Sequence, residues 1–218
     1  MNRSLSDEQI RLALAPFAVG VTTEQISMIR EYVALLLKWN RTLSLTTIVD
    51  PIEIIARHFG ESMFGANVLP VENGRLADVG TGAGFPGLAL KILAPALDVT
   101  LVESNRKKCV FLAEVVRGLG LKDVDILPLR FEDIFSDSFQ SAKFDFITAR
   151  ALGDHHEFLK NAKNKLTYRG HVMMWLGGDD VTKLTSNEDW TWQPAVKIPD
   201  SQRRFVLTGR SRPIERQV

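Results

Sequence analysis

From Leu76 to Leu176 the chain switches repeatedly between two periodicities. Short apolar runs (RLADV, VTLVE, VDILPL, FDFITA and HVMMWL) alternate with the helical segments PGLALKIL, RKKCVFLAEVVRGL and HHEFLKNAKNKL. Apolar runs without in-out alternation suit strands buried on both faces, so this spacing predicts a parallel sheet covered by helices on both sides. The tail offers two further strands, TWQPAVKI and RRFVLTGR. Their separation of about ten residues is too short for a helical crossover, so they are expected to pair antiparallel.

The region before the sheet reads as helix. Ser6 with Gln9 and Thr22 with Gln25 have the spacing of capping boxes, and Ile26, Ile29, Val33, Leu36 and Leu37 share one helical face. DPIEIIARHFGESMF predicts another helix, with Asp50 as cap, Pro51 in the first turn and Glu53 closing a box. The division is therefore a helical extension over residues 1–70 and an α/β domain over 71–218. A net charge of +1 announces no polyanionic partner for the molecule as a whole, so any basic surface is local. The single cysteine, Cys109, excludes an internal disulfide and a cysteine-based zinc site, and no metal is expected. The N-terminus has no signal-like apolar core and no run approaches a membrane span, so a cytoplasmic protein with no membrane partner is expected.

The stretch DVGTGAGFPG, residues 78–87, holds four glycines at the first strand-to-helix turn. Each costs backbone entropy, so the turn requires unusual φ angles or a close approach to its backbone. Ligands of open α/β sheets bind at the carboxyl ends of the strands, where the strand order reverses. Glu103, roughly 20 residues further on at the end of the second strand, is placed to accept hydrogen bonds from ribose hydroxyls, which points to a nucleoside. Read literally, Gly82 to Gly87 match the dinucleotide fingerprint. Asp78 argues otherwise, since a carboxylate beside the turn repels a pyrophosphate and attracts the sulfonium and ammonium of S-adenosylmethionine. It is equally placed to accept hydrogen bonds from loop N–H groups. On this reading Gly80, Gly82 and Gly84 let the methionine portion lie against bare backbone. Phe131 and Glu132 follow the third strand, where an apolar side chain and a carboxylate suit adenine. Arg150 ends the fourth strand, either facing the methyl acceptor or pairing with Asp78 or Glu132.

In order along the chain, LLLKWNRTLSLTTI, RHFGESM, DVGTGAGFPGLAL, LVESNRKKCVFL, RFED and FDFITARAL resemble the glucose-inhibited division protein B (GidB) family of bacterial 16S ribosomal RNA guanine-N7 methyltransferases. The resemblance implies a class I, Rossmann-like fold: a mostly parallel seven-stranded sheet, an antiparallel C-terminal hairpin and a helical N-terminal extension. It implies S-adenosylmethionine as cofactor, and 16S rRNA or the small ribosomal subunit as partner, with methylation in the 530 loop. Cofactor contacts carry over to Gly80, Phe85, Phe131, Glu132 and Arg150. His58 belongs either to the active-site surroundings or to a plain helix. The chain departs from the family at Glu61-Ser62, where Asp-Ser is usual, and at Trp175-Leu176-Gly177-Gly178, where Lys-Gly is common after the fifth strand. Trp175 is either core or a ring able to stack on a guanine.

Guanine N7 carries an in-plane lone pair and no proton, so the implied transfer needs alignment rather than a general base. No proton-transfer residue is therefore assigned, and Arg150 and His58 stand as positioning candidates. Arg106, Lys107 and Lys108, with the C-terminal arginines Arg203, Arg204, Arg210, Arg212 and Arg216, are candidates for RNA contact. Two other readings share this fold: a catalytically weak RNA-binding or ribosome-assembly factor, and an NAD-dependent oxidoreductase using the literal fingerprint.

Overall fold

The computed structural model describes residues 5–135 and 143–212, without the side chains of Phe131 and Phe135, so Arg216 lies outside the described residues. The first two helices, α1 (Asp7–Leu14) and α2 (Thr23–Asn40), both start in complete capping boxes. In the second, Thr22 Oγ1 accepts from the Gln25 N–H at 3.2 Å and Gln25 Oε1 accepts from the Thr22 N–H at 2.8 Å. The same Gln25 amide donates through Nε2 to the carbonyls of Ile92 at 2.8 Å and Leu93 at 3.1 Å. One side chain thus starts α2 and takes up carbonyls at the far end of a helix in the α/β region.

The single helix expected from Asp50 onward is interrupted. Asp50 caps α3 (Pro51–Ile54) by accepting the Glu53 N–H at 2.8 Å, but Glu53 does not close the box and turns instead towards Arg57, 3.7 Å away. The chain then widens into a π turn, Ile55–Gly60, before α4 (Glu61–Val68). Such turns offset the side chains on either side relative to a regular helix. Here the widened turn holds Arg57 and His58 and leads directly into Glu61.

Strands and helices then alternate as the periodicity predicts: β1 (Asn73–Val79), α5 (Gly87–Leu93), β2 (Ala96–Val102), α6 (Arg106–Gly118), β3 (Val124–Leu127), β4 (Phe144–Arg150), α7 (His155–Lys163) and β5 (Leu166–Gly177). An additional helix, α8 (Gly178–Thr185), precedes β6 (Trp190–Trp192), β7 (Val196–Lys197) and β8 (Arg204–Ser211). The sheet order is β3-β2-β1-β4-β5-β8-β6, parallel through β5 and antiparallel where β8 joins. The edge position beyond β8 is shared by β6 and β7, both antiparallel to it, so the eight strands occupy seven positions.

Side chains of β5 show why its sequence reads as an unbroken apolar run. Met173 and Trp175 join one apolar layer with α1, α2, the π turn, α5 and α6, while Val172, Met174 and Leu176 join a second layer with Phe158 and Leu159 of α7 and Leu184 of α8. Period-two alternation sends successive side chains to opposite faces, and here both faces are covered. The first layer also contains Ile10, Ile26 and Ile29, so the N-terminal helices share a continuous core with Leu88, Phe111 and Leu112.

Gln25→Glu tests the double use of that side chain. It preserves the capping acceptor but sets a carboxylate against two carbonyl oxygens, so a loss of about 1–3 kcal/mol is expected in denaturant unfolding. A helix cap alone would tolerate the change.

Candidate active site

Strand order reverses between β1 and β4, and two hollows open at the carboxyl ends on either side of that point. One, of about 340 Å³, is lined by Gly80, Val102, Glu103, Ser104, Leu129, Arg130, Glu132 and Leu152. The other, of about 310 Å³, is lined by residues after β4 and β5 together with Glu61 and Arg204, and it too is bordered by Leu152. Leu152 therefore stands between the two. The turn carrying it begins at Ala151, whose φ of 57° is uncommon for a residue with a side chain.

The glycine loop is organised from beneath by Asp78. Its Oδ2 accepts the Thr81 hydroxyl at 2.5 Å and the Gly87 N–H at 2.8 Å, while Oδ1 accepts the Thr148 hydroxyl at 2.8 Å. The residue is fully buried, so Asp78, expected to face the cofactor, faces the protein instead; it shapes the loop. The loop glycines also divide. At Gly82, with φ of +58°, an added side chain would meet only the Gly80 carbonyl, 3.8 Å away, so its backbone is open to a ligand. At Gly84, with φ of +91°, it would lie 2.1 Å from the Tyr32 hydroxyl, which donates to the Ala83 carbonyl at 2.5 Å. Gly84 is crowded by the protein's own α2, not kept free for a ligand.

Phe85, expected among the cofactor contacts, is likewise turned inward. Its ring lies between Tyr32 (5.3 Å between centroids, 12° between planes) and His58 (5.0 Å, 23°), with the edge of Phe59 against it. His58 Nε2 is 2.8 Å from Thr46 Oγ1, so this histidine joins the helical layer to the loop. Glu103 does line the first hollow. Its carboxylate accepts the Gly82 N–H at 3.0 Å and the Asn105 N–H at 2.8 Å, tying the glycine turn to the start of α6. Glu132 lines the same hollow, whereas the Phe131 side chain lies outside the described residues.

Arg150 pairs with neither Asp78 nor Glu132. Its Nη2 donates to Glu61 Oε2 at 3.0 Å and to the Arg57 carbonyl at 2.9 Å, and its Nη1 to Ser62 Oγ at 3.3 Å. Arg204, expected on an RNA-facing surface, is half-buried against the same carboxylate, with Nε at 3.1 Å and Nη2 at 2.9 Å from Glu61 Oε1. Trp175 is core: its ring occupies the space a side chain at Gly65 would need, and its Nε1 donates to the Glu61 carbonyl at 2.6 Å. The other basic candidates separate. Arg106, Lys107 and Arg203 are exposed near the carboxyl ends of the strands, and Lys108 is half-buried. Arg210, opposite Thr191, instead donates to His171 at the other end of β8. Tyr32, Arg130 and Leu152 are not singled out in the sequence and emerge only from packing, and Glu61, noted there only as a departure from the family's Asp-Ser, gains its role from the arginines around it.

The family model for GidB, rRNA small subunit methyltransferase G, matches residues 25–198. The chain belongs to this family. A relative from Roseiflexus castenholzii named ribosomal RNA small subunit methyltransferase G is 42% identical over 148 residues, covering 68% of this chain and 63% of that protein. A namesake from Xylella fastidiosa is 47% identical over 121 residues, covering 56% of this chain and 54% of the relative. The chain thus spans just under two thirds of the first relative and about half of the second. Among solved structures, a mutant of MtNAS in complex with S-adenosylmethionine superposes with a TM-score of 0.60 at 14% identity, covering 94% of this chain and 76% of that one. TrmN from Thermus thermophilus gives 0.55 at 17% identity, covering 72% of this chain and 53% of that one. At these identities the likeness establishes the Rossmann-like methyltransferase fold expected from the GidB resemblance.

Half-buried His58 and fully buried Asp78 give the site opposite responses to acid. Burial, then the charges of Arg150 and Arg57, push His58 down from 6.5 to about 4. Burial pushes Asp78 up from 3.8 to about 6, against its three hydrogen bonds and Arg150. Between these values the folded chain holds fewer protons than the unfolded chain at His58 and more at Asp78. Acidification therefore lowers stability through His58 as pH falls from 6.5 towards 4, and raises it through Asp78 as pH falls from 6 towards 3.8. His58→Gln is expected to flatten the acid-side fall of Tm, and Asp78→Asn to steepen it. Shifts in the same direction would contradict this assignment.

Proposed function

We propose that this chain is an S-adenosylmethionine-dependent methyltransferase that modifies N7 of a guanine in 16S rRNA, within the 530 loop implied by its family. The observation that carries the reading is the pair of hollows meeting at Leu152 over the carboxyl ends of the sheet. The first fits the cofactor. Its volume is at the small end of the range for ligand sites, and the exposed Gly80 puts bare backbone in its lining. Glu103 and Glu132 outnumber Arg130 among its lining charges, which favours a sulfonium and an ammonium and disfavours a pyrophosphate. That balance argues against a dinucleotide more directly than the buried Asp78 does.

Glu103, Glu132, Gly80 and Gly82 would hold the cofactor, with the Phe131 backbone alongside. When bound, S-adenosylmethionine supplies an electrophilic methyl group on sulfur. The protein's task is then to orient the acceptor, exclude water and present no competing nucleophile. Arg150 and Leu152 border the acceptor side, and neither needs to move a proton because guanine N7 has none to lose. His58 stays neutral at physiological pH and acts as packing for Phe85. Leu176 is buried in the second apolar layer and supplies no cation where the family commonly has lysine. This keeps a binding-only assembly factor as the competing reading.

Calorimetry is expected to show S-adenosylhomocysteine binding at roughly micromolar strength, about −8 kcal/mol, and no NAD binding. Glu103→Ala should weaken that binding by about 1–3 kcal/mol. Small subunits lacking the mark, incubated with labelled methyl donor, should acquire label at guanine N7. NAD binding in place of the methyl-donor product would overturn the cofactor reading. Tight cofactor binding without transfer would favour the assembly factor.

A further inference from the structure

Glu61 is an unusual place for a carboxylate. Its side chain is 1% exposed, yet three guanidinium groups converge on it from separate parts of the chain. Arg150 reaches Oε2 from β4, and Arg204 reaches Oε1 from β8. Arg57, one turn earlier, places Nε 2.9 Å from Oε1 without the angle of a hydrogen bond. The Glu61 backbone is fixed as well, through the Trp175 indole. Gathering three cations around one anion is poor economy for folding alone, since burying ion pairs gives little net stability. Arg57 also pairs with Glu53, 3.7 Å away. The hollow itself is lined by Arg150 and Arg204 with Glu61 and Asp180, so both guanidiniums that face it are held by a single carboxylate.

The two guanidiniums also keep donors that Glu61 does not use. Each guanidinium has five N–H groups in a rigid fork. Among the described residues Arg204 uses Nε and Nη2 on Glu61, and its Nη1 has no protein partner. Nη1 and Nη2 of Arg150 are engaged, and its Nε has no hydrogen-bond partner among the described residues. Both side chains line the hollow on the acceptor side of Leu152. We propose that Glu61 is a positioning residue that holds Arg150 and Arg204 as a preformed clamp for one phosphodiester group of the RNA substrate. This rests on the methyltransferase reading above and deepens it: the clamp sets the RNA backbone so that the base enters beside Leu152. Arg204 thereby supplies a fixed cation in a hollow where Leu176 supplies none.

The test uses the full chain, a fragment of 16S rRNA as binding partner, and S-adenosylhomocysteine binding as a separate readout of the cofactor hollow. Arg204→Lys keeps the charge and loses the fork, so RNA affinity should fall about tenfold with cofactor affinity unchanged. A charge acting only through the general field would be satisfied by lysine. Glu61→Gln removes a negative charge, and simple electrostatics predicts tighter RNA binding. The clamp predicts weaker binding, because the guanidiniums lose the group that aims them, and Glu61→Asp should restore part of it. If Glu61→Gln fails to fold, as absent cofactor binding and a collapsed Tm would show, Arg204→Lys still decides. Unchanged RNA affinity and salt slope in Arg204→Lys, or tighter binding by a folded Glu61→Gln, would overturn the clamp. Loss of wild-type S-adenosylhomocysteine binding with RNA binding intact would overturn only the cofactor reading.

Discussion

The Asp78 carboxylate is the constraint on which the rest of the α/β region is built. It ends β1 beneath the glycine turn and accepts hydrogen bonds from Thr81 in that turn, from Gly87 at the start of α5 and from Thr148 in β4. Those three donors lie in the loop, the helix and the neighbouring strand whose relative placement defines the crevice. A fully buried carboxylate is costly unless its lone pairs are occupied. Here each donor makes that burial tolerable, and the carboxylate in turn fixes where each donor sits. Gly87 is part of the same bargain: an added side chain would come within 2.8 Å of Asp78.

Tyr32 extends this arrangement to the helical layer. Its hydroxyl reaches the Ala83 carbonyl, and its ring continues into Phe85 and His58. The glycine loop is therefore gripped from two sides, by the strand end below and by α2 above. Gly80 remains exposed and lines the first hollow. On the acceptor side Glu61 plays a comparable part with opposite charge balance: a buried anion surrounded by guanidiniums from elements distant in sequence. The first hollow is thus relatively acidic, while two guanidiniums held by one carboxylate face the second, the arrangement that the proposed methyl donor and RNA backbone require on the two sides of Leu152.

Much of this was readable before any coordinates, for identifiable reasons. The capping residues Ser6, Thr22 and Asp50 act within a single turn of chain, and the apolar runs of β1, β2, β4 and β5 reflect burial on both faces, so each leaves a local trace. Glu103 was readable because its place at a strand end follows from the alternation itself. The directions of side chains were not. Phe85 and Gly84 stand in the loop expected to bind the ligand, yet face α2, because the partner filling their space is Tyr32, more than fifty residues earlier. Arg204 looks like one of several C-terminal cations, and only the pairing of Gly177 with Arg204 brings it to Glu61. Arg210, six residues on, belongs by the same antiparallel geometry to the opposite end of the sheet.

By itself the sequence determined the helical start, the alternating sheet, the glycine turn with a carboxylate at each of the first two strand ends, and the family those features resemble. These rest on short-range chemistry: periodicity, caps and the φ angles that glycine permits. Tertiary structure alone decided which carboxylate lines the open hollow and which is buried beneath the loop, and which arginines are held by Glu61. The arginines depend on a partner 89 and 143 residues away, and the carboxylates on burial, which is a property of the assembled layers rather than of any segment.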